Sequence, residues 1–140
     1  MSSLEAAAPP SLLGIGLGGM FGSLARYLVD PGVIYSTGQP VATPTFVVNI
    51  SGSLLIGLLF ALCVERAALP TSLRGPLMIG FVGSYTTFAT VVLASWRLVE
   101  LGQLGAAVLN LAGSVVVGMV AVVAGIVLGR KLTGKAPDAS

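Results

Sequence analysis

Histidine is absent from this 140-residue chain, cysteine occurs once, and charged residues make up only 9%. The missing histidine removes the usual general base, proton shuttle and metal ligand. Cys63 alone cannot form a disulfide framework. Soluble domains carry about 25% charged residues, and seven Lys and Arg against five Asp and Glu cannot clothe a globule in water. The same seven cations, scattered along the chain, make no basic stripe, so no nucleic-acid partner is expected. Aromatic residues are scarce, at 6%. What is present is apolar: 55% hydrophobic residues, 19 Gly and a mean hydropathy of +0.99. That composition excludes disorder and leaves a small polytopic membrane protein.

The charges act as punctuation. They leave charge-free intervals at 6–25, 31–64, 75–96 and 101–129. A helix crossing the bilayer core needs about 20 apolar residues, so each interval holds one span and none holds two. Pro31, Gly32, Gly38, Pro40 and Pro44 read as a loop opening the second interval. The expectation is an all-α membrane protein with helices at about 11–29, 45–64, 75–97 and 104–129. These form one transmembrane domain over 11–130, between short tails at 1–10 and 131–140. Transmembrane strands would alternate polar and apolar residues, which 54–60 and 115–124 do not. The first span has no basic segment ahead of it and is read as a retained helix. Four spans place both termini on one side. That side carries Arg66, Arg74, Arg130, Lys131 and Lys135, against Arg26 and Arg97 on the other, which favours cytoplasmic termini.

A motif recurs 61 residues apart. Asn49, Gly52, Ser53 and Gly57 match Asn110, Gly113, Ser114 and Gly118 as N-x-x-G-S-x-x-x-G. At the same offset Gly19, Gly22 and Ser23 match Gly80, Gly83 and Ser84. Either a two-helix unit has been duplicated into parallel repeats, or small residues simply recur, as they do in membrane bundles. Within each copy Asn, Ser and Gly lie at i, i+4 and i+8, on one helix face. Side-chain amides do not face lipid. The stripes therefore serve either as interhelical hydrogen bonding or as a pore-lining track of donors suited to an anion. Gly14, Gly18 and Gly22 form a small-residue ridge for close helix packing. Arg26, with Asp30 four residues on, is either a paired interfacial anchor or a positive vestibule.

Helix three carries Gly80, Gly83, Ser84, Thr86 and Thr87 at mid-span, the weakest stretch for helix propensity in the chain. Two readings stay open: an unwound turn near 83–87 whose carbonyls face a cavity or a hard cation, or a kink with threonine bonded back to its own helix. The spans contain no mid-membrane Asp, Glu, Lys or His. A proton-coupled exporter needs such a group, and an enzyme needs a nucleophile with a base or a metal. Passive conduction survives.

Three blocks carry a resemblance. They are the segment from Gly18 and Gly19 through Gly22 to Arg26 and Tyr27; the segment Thr45, Asn49, Gly52, Ser53; and the segment Gly80, Gly83, Thr86, Thr87, Phe88. In order, spacing and span count the chain resembles the Fluc (CrcB) family of fluoride channels over about 11–130. The resemblance implies a multi-pass protein of the cell membrane that forms a dual-topology antiparallel dimer. It also implies a structural, non-transported Na⁺ at the dimer centre, held by main-chain carbonyls matching Gly83 and Thr86. Fluoride would pass Phe88, whose ring edge carries the positive end of the quadrupole, together with Asn49, Thr87, Asn110 and Ser114. The implied activity is passive fluoride efflux that relieves toxicity, with no enzymatic step.

One position departs from the family pattern: Val91 stands where a second pore phenylalanine is expected, and Ala89 where a serine is. The partner is therefore either a second copy of this chain or a paralogous subunit inserted the other way. A non-conducting or partner-dependent subunit is the alternative. A small multidrug exporter is a more distant one, since it requires a mid-membrane carboxylate.

Overall fold

The structure, a computed structural model, describes residues 11–37 and 42–134. The expected N-terminal tail and the residues beyond Gly134 lie outside these. Among the described residues there is no strand, and four segments are long and apolar enough to cross a membrane: Leu12–Pro31, Thr43–Glu65, Thr71–Glu100 and Leu104–Leu132. The chain is an all-α, multi-pass membrane protein.

Helix α1 runs Leu12–Thr37 and α2 runs Ala42–Phe60, with a wider final turn at Ala61–Glu65. That turn is π-helical, its last bond running from the Arg66 N–H to the Ala61 carbonyl at 3.0 Å. Helix α3 has two parts. The first is Gly75–Val82, continued by the turn Gly83–Tyr85; the second is Phe88–Glu100. Helix α4 is Leu104–Leu132. Only Leu101, Gly102 and Gln103 join α3 to α4, and Gly102 takes φ +74°, a conformation that costs a glycine little.

The first helix differs from expectation. It does not end near 29 but continues through Asp30 and Pro31 to Thr37, so the expected loop loses its first part. Proline removes one N–H and frees the carbonyl four residues back, here that of Tyr27. Pro31 closes the apolar stretch, where water at the membrane surface can satisfy that carbonyl. Arg26 consequently lies inside a helix rather than at its end.

Small residues set the packing. The buried core includes Val48, Ala61, Cys63, Val82, Val91 and Ala94. Lipid tails are as apolar as leucine, so helices here gain by close backbone approach rather than by hiding from water. A Cβ at Gly18 would overlap the Pro76 carbonyl oxygen, and one at Gly22 that of Phe81, which accounts for the glycine ridge on α1. On the other side of the bundle, Gly57 faces the Val122 carbonyl and Gly125 faces the Leu54 carbonyl with no room for a side chain.

The order of these contacts fixes direction. Gly14 meets Pro76 and Gly22 meets Phe81, so α1 and α3 run parallel. Ser53 meets Gly118, Leu58 meets Gly129 and Glu65 meets Arg130, so α2 and α4 run parallel as well. The start of α1, the segment 66–74 and the end of α4 therefore share one end of the bundle. Arg130 closes that end with a two-pronged bond to Glu65, Nε to Oε2 at 2.8 Å and Nη2 to Oε1 at 2.6 Å.

Candidate functional site

The site begins at the interruption of α3. Gly83 is still helical, at φ −60° and ψ −33°. Thr86 (φ −83°, ψ 158°) and Thr87 (φ −154°, ψ 118°) are both extended, and the helix restarts at Phe88. The Val82 carbonyl accepts twice from Thr86, from its N–H at 3.0 Å and from Oγ1 at 3.1 Å. Unwinding and back-bonding by threonine thus occur together, each ending the first half of the helix.

Asn49 holds the break open. Its Nδ2 donates to the Thr87 carbonyl at 2.9 Å, and its Oδ1 accepts from the Thr87 N–H at 2.8 Å. In an unbroken helix that N–H would close on the Gly83 carbonyl. Diverted to Asn49, it leaves the Gly83 carbonyl without its helical partner. Two helix ends then meet in mid-span. The first half ends in free carbonyls and carries partial negative charge; the second begins with free N–H groups and carries partial positive charge.

The flank of the break is braced. The Ser51 and Tyr85 hydroxyls lie 2.8 Å apart, and the Tyr85 ring stacks on Phe81 with centroids at 6.0 Å. Thr87 Oγ1 lies 3.2 Å from Thr90 Oγ1.

A cavity of about 500 Å³ opens beside the break. It brings together Asn49, Gly83, Thr86, Thr87, Phe88 and Ser114, six of the eight residues singled out in the sequence, and Val91 is also in its wall. Phe88 is 66% exposed, so its ring is available to a neighbour or an ion rather than packed in this chain's core. Ser114 reaches the cavity, but its hydroxyl donates to the Asn110 carbonyl of its own helix at 2.6 Å.

Asn110 is not in the wall of this cavity. Its Nδ2 donates to Ser95 Oγ at 3.0 Å and to the Val91 carbonyl at 3.4 Å, tying α4 to the second half of α3. Ser95 completes the brace by donating to the same Val91 carbonyl at 2.9 Å. With both amide hydrogens committed, Asn110 has no donor left for a passing ion. Arg26 is also apart from the cavity; it is half-buried and makes no ion pair among the described residues, with Asp30 included.

Ser53, one turn beyond Asn49 on α2 and part of the stripe read as either helix bonding or a donor track, also lines the cavity. The i, i+4 spacing was the signal for it.

No cluster of three His, Cys, Asp or Glu side chains occurs among the described residues. The main-chain carbonyls at the break are neutral dipoles of a kind that a hard monovalent ion accepts.

Fold and site together define a small four-span membrane protein with an interrupted helix beside a neutral, polar-lipped cavity. Residues 13–126 match the family model described as CrcB-like protein, Camphor Resistance (CrcB). The chain belongs to the CrcB family. It is 42% identical over 122 residues to the fluoride-specific ion channel FluC of Methylococcus capsulatus, covering 87% of this chain and 54% of that relative, so it spans about half of that protein's length. It is 40% identical over 119 residues to the fluoride-specific ion channel FluC of Maridesulfovibrio salexigens, covering 83% of this chain and 92% of the relative. With the fluoride-specific ion channel FluC 1 of Nitrobacter hamburgensis it shares 42% identity over 121 residues, covering 86% and 96%.

Proposed function

We propose that this chain is the subunit of a fluoride-selective channel that lets fluoride leave the cytoplasm passively and so relieves its toxicity. The observation that carries this reading is the Asn49-held break of α3. It presents the N-terminal turn of Phe88–Glu100 and the exposed Phe88 to a cavity lined by Asn49, Thr87 and Ser114. Free N–H groups at a helix start, amide and hydroxyl donors and an aromatic edge all favour a small anion. Asp, Glu, Lys and His are absent from the middle of the spans, which supports conduction without coupling to protons. Fluoride accumulates in cells because neutral HF crosses the bilayer and ionises inside; a negative interior then drives the anion outward.

The working unit in this reading is an antiparallel dimer. The exposed Phe88 and the open cavity support a second subunit closing the pore. The carbonyls of Gly83 and Thr86, freed at the break, would hold a structural Na⁺ whose charge offsets the carbonyl end of the half-helix. The second subunit is another copy of this chain; two features would suit a paralogous partner in its place. Val91 stands in the cavity wall where a second aromatic ring is expected, and the cationic residues are distributed unequally between the two ends.

The test uses the purified protein alone in liposomes loaded with fluoride, with a parallel chloride-loaded set. Efflux is followed by a fluoride electrode after addition of a K⁺ ionophore. Fast fluoride release without chloride release is the expected result. Silence from folded protein alone, with release restored by a co-expressed paralogue, would support the partner-dependent form. Silence in both arms would refute the channel.

A further inference from the structure

Ser53 differs from the other hydroxyls that line the cavity. Thr86 Oγ1 is spent on the Val82 carbonyl, Ser51 on Val48 and Tyr85, and Ser114 on the Asn110 carbonyl, while Thr87 and Thr90 share one bond. Ser53 Oγ makes no hydrogen bond among the described residues, although the residue is half-buried in a wall of the cavity. A hydroxyl at the cavity wall with no protein partner is open to whatever occupies the cavity. The cavity supplies the open side, and the α4 wall opposite is close. Gly118 faces it across the α2–α4 interface, and an added Cβ there would stand 3.4 Å from Ser53 Oγ.

We propose that Ser53 is a fluoride-contacting donor, the second station of the anion path, one helical turn from Asn49. This rests on the channel reading given above. Asn49 spends one Nδ2 hydrogen on Thr87 and keeps the other, so the two free donors of α2 lie on one face, about 6 Å apart along the axis. An anion leaving Asn49 meets the Ser53 O–H before it has lost all its former partners, and the cavity that both residues line provides the space to pass. Ser114, the residue equivalent to Ser53 in the repeated motif, cannot take this place while it donates to Asn110. The track is therefore one-sided, with the donors on α2.

The experiment compares fluoride efflux from liposomes for the parent protein, with whichever partner it needs, and three variants. Ser53→Ala removes the donor and should slow efflux about tenfold, the usual scale for one hydrogen bond to an ion. Ser53→Cys nearly keeps the volume with a weak donor and should lose almost as much, so the result does not depend on one variant's folding. Combining Ser53→Ala with Gly118→Ser returns a hydroxyl from the opposite wall and should recover most of the rate. Parent-like efflux from Ser53→Ala overturns the assignment, as does a loss that the Gly118→Ser change fails to repair, because the defect would then lie in packing. A parent protein that carries no fluoride with any partner would instead overturn the channel reading, and the two failures are distinguishable.

Discussion

Asn49→Asp is the most informative single change, because it keeps the shape of the side chain and alters only its hydrogens and charge. The parent amide makes two bonds to Thr87, at 2.9 Å through Nδ2 and 2.8 Å through Oδ1. Aspartate keeps the second as a charge-assisted bond and loses the first, at a cost of about 1 kcal/mol plus repulsion between carboxylate and carbonyl. The larger effect is on the anion. A carboxylate roughly 5 Å from fluoride repels it by about 3 kcal/mol at an effective dielectric constant of about 20. That corresponds to a fall in flux on the order of a hundredfold.

Asn49→Leu separates the two effects. It adds no charge but leaves the Thr87 N–H unpaired and its carbonyl with the helical bond alone, which should destabilise the fold by about 1–3 kcal/mol. The assay pairs fluoride efflux from liposomes with thermal unfolding in detergent. Aspartate should abolish flux with a small change in midpoint; leucine should lower the midpoint clearly. Efflux from the aspartate variant within about threefold of parent would show that Asn49 lies off the anion path, because a charge there would otherwise dominate.

Other expectations follow from the same geometry. Phe88→Ile should cut fluoride efflux while leaving the unfolding midpoint nearly unchanged, because the ring is 66% exposed and contributes little to this chain's core; paired efflux and melting curves check it. Gly22→Val should abolish stable folding or expression of the monodisperse protein, since a Cβ there overlaps the Phe81 carbonyl and α1 has no slack against α3; size-exclusion chromatography reads this directly. Replacing Na⁺ by a large organic cation during purification should reduce both flux and thermal stability if Gly83 and Thr86 carbonyls hold an ion, with recovery on adding Na⁺ back.

Most of the fold was legible because membrane spans are written in long intervals without charge, and lipid permits little else but helices. The break in α3 was legible for a related reason: Gly83, Ser84, Thr86 and Thr87 in succession weaken the helix where lipid cannot repair it. The end of α1 was not. Asp30, Pro31 and Gly32 carry the usual signs of a stop, yet the helix continues to Thr37. Propensity penalises proline by its missing hydrogen bond, and at the edge of the apolar span that bond is replaced by water at small cost. Local sequence does not reveal the depth at which a residue sits in the membrane, and depth decided this boundary.

The repeated motif shows the same limit inside the site. Asn49 and Asn110 have identical neighbours at fixed spacing, yet they do different work, and the difference lies in the helix each one faces. Asn49 faces α3 where Thr87 is extended, so a backbone N–H stands free and an amide pairs with it and with the carbonyl at once. Asn110 faces α3 where it is continuous. Backbone N–H groups are spent there, and the amide can only donate, to Ser95 Oγ and to a Val91 carbonyl that Ser95 already shares. The serines follow their asparagines: Ser114 turns back to its own helix, and Ser53 stays free at the cavity wall. The asymmetry between the two motifs thus comes from a contact 38 residues away in sequence, which no inspection of either motif alone could supply.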